Sequence, residues 1–203
     1  MSDVAIREKV LPVGSFGRRA SGWFGVWCLL VTEGAIFAYL IFSYFYFAAQ
    51  AVVDWPPGGP PPLKLAGPNT IVLILSSLAL VWAELSGAQR AARARLIGGI
   101  AVAFVLGCLF VGVQLMEWHN KPFSLTSGPY GSIYFTLTGF HLAHVIAGLV
   151  MLGLLLVYAA LGYFSRDRHA QLTIGAIYWH FVDVVWLVVF ITLYVTPYLG
   201  RSP

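Results

Sequence analysis

Tyr178-Trp179-His180-Phe181-Val182-Asp183-Val184-Val185-Trp186 is the stretch whose reading decides the fold. It sets a histidine and an aspartate three residues apart inside a run of about twenty apolar residues, the length a helix needs to cross a bilayer. Three residues is nearly one helical turn, so both side chains fall on one face of an α-helix. Ionisable groups in such a run cost roughly 2.5–3.5 kcal/mol each on insertion scales, which turns them toward protein rather than lipid. The polar face of this segment therefore calls for companions elsewhere in the chain.

The rest of the composition agrees. Of 203 residues, 59% are hydrophobic and only 10% charged, and the mean hydropathy is +0.81. A soluble domain carries about 25% charged residues, so the sequence predicts a single all-α integral membrane domain. The net charge of +4 is spread over short loops and is no nucleic-acid signal. Cys28 and Cys108 each sit alone in an apolar run, form no CxxC pair and read as small buried hydrophobes.

Five apolar runs follow a polar leader, residues 1–21, which carries Arg7, Lys9, Arg18 and Arg19 and does not read as a cleavable signal. The membrane domain, 22–203, is predicted to have spans at about 22–49, 69–86, 96–117, 132–161 and 174–199. The loop from Gln50 to Pro68 is dense in proline, which argues against regular helix there, and Asn69 stands where a cap for the second span would be. With the N-terminus cytoplasmic, nine basic residues fall inside: Arg7, Lys9, Arg18, Arg19, Arg90, Arg93, Arg95, Arg166 and Arg168. Lys64, Lys121 and Arg201 fall outside. The positive-inside rule favours that orientation, with the C-terminus outside. No internal repeat divides the spans into two halves, which weighs against an inverted-repeat transporter.

The predicted site is a set of buried polar groups. Glu33 in the first span, His144 in the fourth and Asp183 in the fifth lie near the middles of their segments, with His141 and His180 a turn away. The least costly arrangement packs carboxylates against imidazoles, away from lipid. Three readings stand for this set: a metal site, a proton or ion pathway, or a hydrogen-bond network that fixes helix register and holds a lipid headgroup. Against the metal, the Glu-x-x-His pairs of carboxylate-bridged bundles are absent and only one helix offers two imidazoles to such a site. Glu84 and Glu117, at span ends, read as solvated or cap-like. Trp118, Tyr130 and Tyr198 fit an interfacial aromatic belt. Gly98, Gly99, Gly107, Gly112, Gly139, Gly148 and Gly153 fit close helix approach.

With these motifs in view, the chain resembles subunit III of the haem–copper respiratory oxidases. Four stretches carry the resemblance: Thr32-Glu33 in an aromatic-rich first span, Pro68-Asn69-Thr70 on to Ser76-Ser77, Tyr130-Gly131-Ser132 through Thr138-Gly139-Phe140-His141 to His144-Val145 and Gly148, and Tyr178 to Trp186. The last two are the specific ones. Many cytochrome c oxidase subunits III have seven spans; this chain resembles a short, five-helix bacterial form without the first two. Its Thr-Glu, Tyr-Gly-Ser and Thr-Gly-Phe-His runs are closer to the cytochrome c branch than to the quinol oxidases.

The resemblance implies an accessory subunit of an enzyme that reduces oxygen to water and pumps protons. Haem and copper would lie in the partner subunits I and II, with none in this chain. Subunit I would be the direct neighbour, further subunits could join, and cytochrome c or a quinol would be the electron donor to the complex. Bound phospholipid among the helices, support of proton uptake and of sustained turnover, and residence in the bacterial plasma (inner) membrane are further implications. By motif, Glu33 matches the family's membrane-buried carboxylate, and His141, His144, His180 and Asp183 its polar helix positions. A small ion-coupled transporter built on the same residues is the competing class.

Overall fold

The computed structural model describes residues 22–52, 54–85, 93–164 and 170–199. The leader 1–21 with its Arg7, Lys9, Arg18 and Arg19, together with Arg90, Arg166, Arg168, His169 and Arg201, lies outside the described residues. Five helices are long and apolar enough to cross a membrane, and among the described residues there is no strand. They are α1 (Gly22–Ala49), α2 (Leu63–Leu85), α3 (Arg93–His119), α4 (Pro129–Leu161) and α5 (Ala170–Phe190). The last continues through a π-helical turn, Ile191–Val195, into a final turn, α6 (Thr196–Leu199).

Helices α2, α3, α4 and α5 close a ring, each packing on the next and α5 returning to α2. Helix α1 stands outside it, against α4 and α5. The register comes from a seven-residue pattern. In α3 the buried positions include Leu96, Ile100, Ala103, Gly107, Phe110, Gln114 and Glu117, alternating steps of four and three. In α5 they include Leu172, Ala176, Trp179, Val182, Trp186 and Val189, and in α1 Leu30, Phe37 and Tyr44 recur every seven. Such seams pack helices near 20° to one another. Because the outward faces are equally apolar, small, polar and aromatic residues mark the seam rather than hydrophobicity.

Two tryptophans of α5, seven residues apart, hold the ring together. Trp179 is fully buried and donates from Nε1 to Ser76 Oγ of α2 at 3.0 Å. Its ring occupies space left by Gly107 of α3 and Gly148 of α4, where an added Cβ would lie 2.8 Å and 2.7 Å from it. Trp186 donates to Thr70 Oγ1 of α2 at 3.0 Å and meets the rings of Phe110 in α3 and His141 in α4, with centroids 4.9 and 4.8 Å away. Each indole thus touches all three other helices of the ring.

The ends of α4 are built by local chemistry. Gly128, with φ at 127°, turns the chain into Pro129 at the start of the helix, where proline's missing N–H costs nothing. At the far end Gly162 takes the left-handed conformation and its N–H bonds Ala159 O. Arg93 of α3 then places its guanidinium on the last carbonyls, donating to Ala159 O at 3.3 Å and to Ala160 O. A cation there also complements the helix dipole.

Several expectations change. Helix α2 begins at Leu63, not Asn69, and contains Pro68. The proline lies early enough that only the bond to the Lys64 carbonyl is lost, and Gly67 before it has no Cβ to meet the ring. Asn69 is therefore no cap: it is buried, and its Nδ2 donates to Phe110 O across the α2–α3 seam at 3.2 Å. Cys28 and Cys108 are exposed on outward helix faces rather than buried. Tyr130 lies inside under Trp55, centroids 5.2 Å apart, rather than in an interfacial belt. Gly99, Gly107 and Gly148 do sit at tight contacts, whereas Gly98 and Gly112 face open space.

Candidate functional site

The five singled-out polar residues separate into three places. Glu33 of α1 and His144 of α4 meet, Oε2 to Nε2, at 3.1 Å, with 25% and 14% of their side chains exposed. The other imidazole nitrogen, Nδ1, donates to Phe140 O one turn back at 2.7 Å, and the edge of Phe37 closes over the ring, centroids 5.1 Å apart. A carbonyl only accepts, so Nδ1 carries a proton. The Nε2–Oε2 contact then holds one more, either as imidazolium with carboxylate or as a carboxylic acid donating to imidazole. This polar pair ties α1 to the ring.

His141 is elsewhere, enclosed in the ring at 1% exposure. Its Nε2–H donates to Val182 O of α5 at 3.1 Å, which leaves Nδ1 as an acceptor with no partner among the described residues. Asp183 lies on the other side of α5, toward α2. Ser77 of α2 and His180, one turn away on its own helix, are its polar neighbours, but Ser77 Oγ makes no hydrogen bond among the described residues. The aspartate is buried and its Oδ1 makes no hydrogen bond among the described residues, while His180 is half-buried. The structure therefore joins Glu33 to His144, leaves His180 and Asp183 as neighbours one turn apart on α5, and keeps His141 apart from both.

A fourth cluster had escaped the sequence reading. Glu117, expected to be solvated or cap-like, is 4% exposed. Its Oε1 accepts from Tyr194 OH at 2.7 Å and lies 2.8 Å from Lys121 Nζ, itself buried. Tyr134 OH stands 2.7 Å from Tyr194 OH, and the ammonium lies 5.0 and 5.3 Å from the centroids of the Tyr134 and Tyr194 rings. The physical reason is register: Glu117 follows Phe110 by seven residues and Gln114 by three, so it shares their inward stripe. That step, with the i,i+4 Glu117–Lys121 pair, was the signal available in the sequence.

Chemically, Glu33 pairs with His144, Glu117 with Lys121, and His141 with the Val182 carbonyl. Among the described residues no three His, Cys, Asp or Glu side chains come together as a metal site would need. Fold and site thus define a class: an all-helical, multi-pass membrane protein whose interior polar groups pair up between its helices.

Comparison with known proteins makes the assignment narrower. Residues 17–198 match the family model of cytochrome c oxidase subunit III. Among similar proteins, cytochrome c oxidase subunit 3 of Danio rerio is 36% identical over 174 residues, covering 82% of this chain and 66% of that relative. The subunit 3 proteins of Scyliorhinus canicula and Arabidopsis thaliana are 32% and 33% identical, over 84% of this chain and 68% and 67% of their own lengths. This chain belongs to the cytochrome c oxidase subunit III family. It matches about two thirds of the length of these curated relatives.

Proposed function

We propose that this chain is the accessory third subunit of a haem–copper terminal oxidase of the cytochrome c type, a complex that reduces oxygen to water and translocates protons. In this reading haem and copper belong to subunits I and II, and the chain packs directly on subunit I. It sits in a bacterial plasma membrane with the N-terminus cytoplasmic and the C-terminus outside. The family match over residues 17–198 carries the reading. The relatives, all subunit 3 of cytochrome c oxidases, support cytochrome c over quinol as electron donor.

Its contribution is mechanical and electrostatic rather than redox. Glu33 and His144, 3.1 Å apart, hold α1 on the ring and keep a proton-carrying polar pair at the flank of the bundle. The apolar outward faces of α1, the least buried of the five helices, offer seats for phospholipid. Loss of the pair would loosen the subunit and shorten the working life of the enzyme, and would weaken any support it gives to proton uptake.

The test is a reduced-minus-oxidised visible spectrum of whatever copurifies with a C-terminally tagged chain in mild detergent. Haem a bands with stoichiometric large subunits are expected. Bands of b- and o-type haem alone would make it a quinol oxidase subunit, and a colourless, folded preparation would remove the oxidase reading. Glu33→Ala should keep haem content while lowering subunit retention or the number of turnovers before inactivation; unchanged retention and lifetime would refute the role given to the pair.

A further inference from the structure

Nine side-chain atoms have no surface exposed and no hydrogen-bond partner among the described residues, and five of them follow one seam of the α2–α5 ring: Asn69 Oδ1, His141 Nδ1, Gln114 Oε1, Gln114 Nε2 and Glu117 Oε2; the others are Ser77 Oγ, Asp183 Oδ1, Trp55 Nε1 and Trp118 Nε1. The residues of those five are between 1% and 4% exposed. Buried polar atoms in folded proteins are nearly always paired, and those lacking a protein partner are paired with water or an ion. These five are also not scattered. Asn69 bonds the Phe110 carbonyl and the His141 ring lies 5.8 Å from the Phe110 ring. Gln114 is the next inward position of α3 after Phe110, and Glu117 the one after that.

From these positions we infer that the ring encloses a file of ordered water running from Asn69 and His141, past Gln114, to Glu117. The seven residues from Phe110 to Glu117 rise about 10 Å along the helix, which spans about three water molecules at hydrogen-bonding separation. The chemistry of the five atoms selects the ligand. Four are acceptors, because His141 already carries its proton on Nε2, and only Gln114 Nε2 donates. The ligand must chiefly donate and also accept, as water does. A single cation would need its oxygen ligands around one point, and these are strung along about two turns of seam. No side chain of a neighbouring subunit can reach atoms the ring encloses.

The file has one end. Toward the α3 C-terminus it meets Glu117 and the buried Lys121 ammonium. In the other direction the seam passes Trp186 and Trp179. There Asp183, between them in sequence, and Ser77, next to the Ser76 that Trp179 bonds, also leave Oδ1 and Oγ without partners among the described residues. The seam then holds Leu80, Ile100, Leu152, Leu155 and Leu172, all buried and apolar. Water therefore enters the interior from one side of the membrane and stops at this apolar layer, so the file hydrates the ring without connecting the two faces.

The experiment is X-ray hydroxyl-radical footprinting of the intact oxidase complex in 18O-labelled water, which marks side chains beside bound water. After correction for intrinsic reactivity, His141 and Trp186 should be oxidised about tenfold or more faster than Phe37, an equally buried ring on the α1 seam beside which no such atoms lie. Rates for His141 and Trp186 as low as that of Phe37 would overturn the inference. Gln114→Leu should sharply reduce labelling of His141 and Trp186 while leaving Tyr134 and Tyr194, nearer the open end, labelled. Undiminished labelling of His141 in that variant would also overturn it, and the wild-type rates decide the matter if the variant fails to assemble. The readout is independent of haem type and of electron donor.

Discussion

Tyr194 and Glu117, 77 residues apart in sequence, are joined by a 2.7 Å hydrogen bond from phenol to carboxylate Oε1, the same oxygen that Lys121 Nζ approaches at 2.8 Å. The final turns of α5 are thereby fastened to the end of α3 through a buried ion pair. Breaking such a pair from one side leaves a charge without compensation and costs about 3–5 kcal/mol. Glu117→Leu should lower the thermal midpoint of the purified complex accordingly. Glu117→Gln with Lys121→Met, which removes both charges, should recover more than half of the loss. A double variant no more stable than Glu117→Leu would mean the ion pair is not what matters.

The contact between Glu33 and His144 makes a different prediction, about coupling. Each single alanine variant removes the same interaction, so the losses should not add. A double-mutant cycle in mixed micelles should give a coupling energy of about 1–2 kcal/mol, the range of an interhelical hydrogen bond in a membrane bundle. Strictly additive losses would show that the pair contributes nothing beyond its separate packing.

Glycines sort by what they face. Gly107→Ala and Gly148→Ala push a methyl group into the Trp179 indole, where the added Cβ would lie under 3 Å from ring atoms. Overpacking of this kind costs about 1–3 kcal/mol. Gly98→Ala and Gly112→Ala meet nothing within 4 Å and should range from neutral to stabilising by about 1 kcal/mol, because alanine is the better helix former. Parallel thermal denaturation of the four variants reads the difference directly; equal effects at all four sites would count against the packing.

Arg93 is the side chain that finishes α4. Arg93→Met keeps the stem and removes the donors to the Ala159 and Ala160 carbonyls. The cost should be about 1 kcal/mol, localised to the end of the helix. Hydrogen exchange at the Gly162 and Tyr163 amides, which bond Ala159 O and Tyr158 O, should quicken while the amides around Leu142 do not. Unchanged exchange at Gly162 would mean the backbone cap suffices without the arginine.

The sequence made five spans legible because each run is long enough and apolar enough to cross hydrocarbon. Helix faces were not legible, since lipid and protein interior are similarly apolar and no hydrophobic stripe separates them. Only the seven-residue recurrence of marked residues such as Ala66, Leu73 and Leu80 betrays the seam, and it is faint against a background of leucine and valine. Pro68 hid the start of α2, because a proline reads as a breaker when the Gly67 that accommodates it is not weighed with it. Glu33 stood out as an isolated carboxylate mid-span, and it does meet an imidazole. Glu117 stood near a span end, and position along a helix was mistaken for exposure around it.

One consequence of the outboard place of α1 concerns biosynthesis. Helix α1 packs on α4 and α5, two spans that leave the ribosome after it. Glu33 therefore enters the bilayer 111 residues ahead of His144, the imidazole that will meet it. Until then its insertion cost, roughly 2.5–3.5 kcal/mol for a mid-span acidic group, is carried by the apolar remainder of α1 alone. Helix α1 must wait in the membrane with its carboxylate uncovered until α4 arrives to claim it.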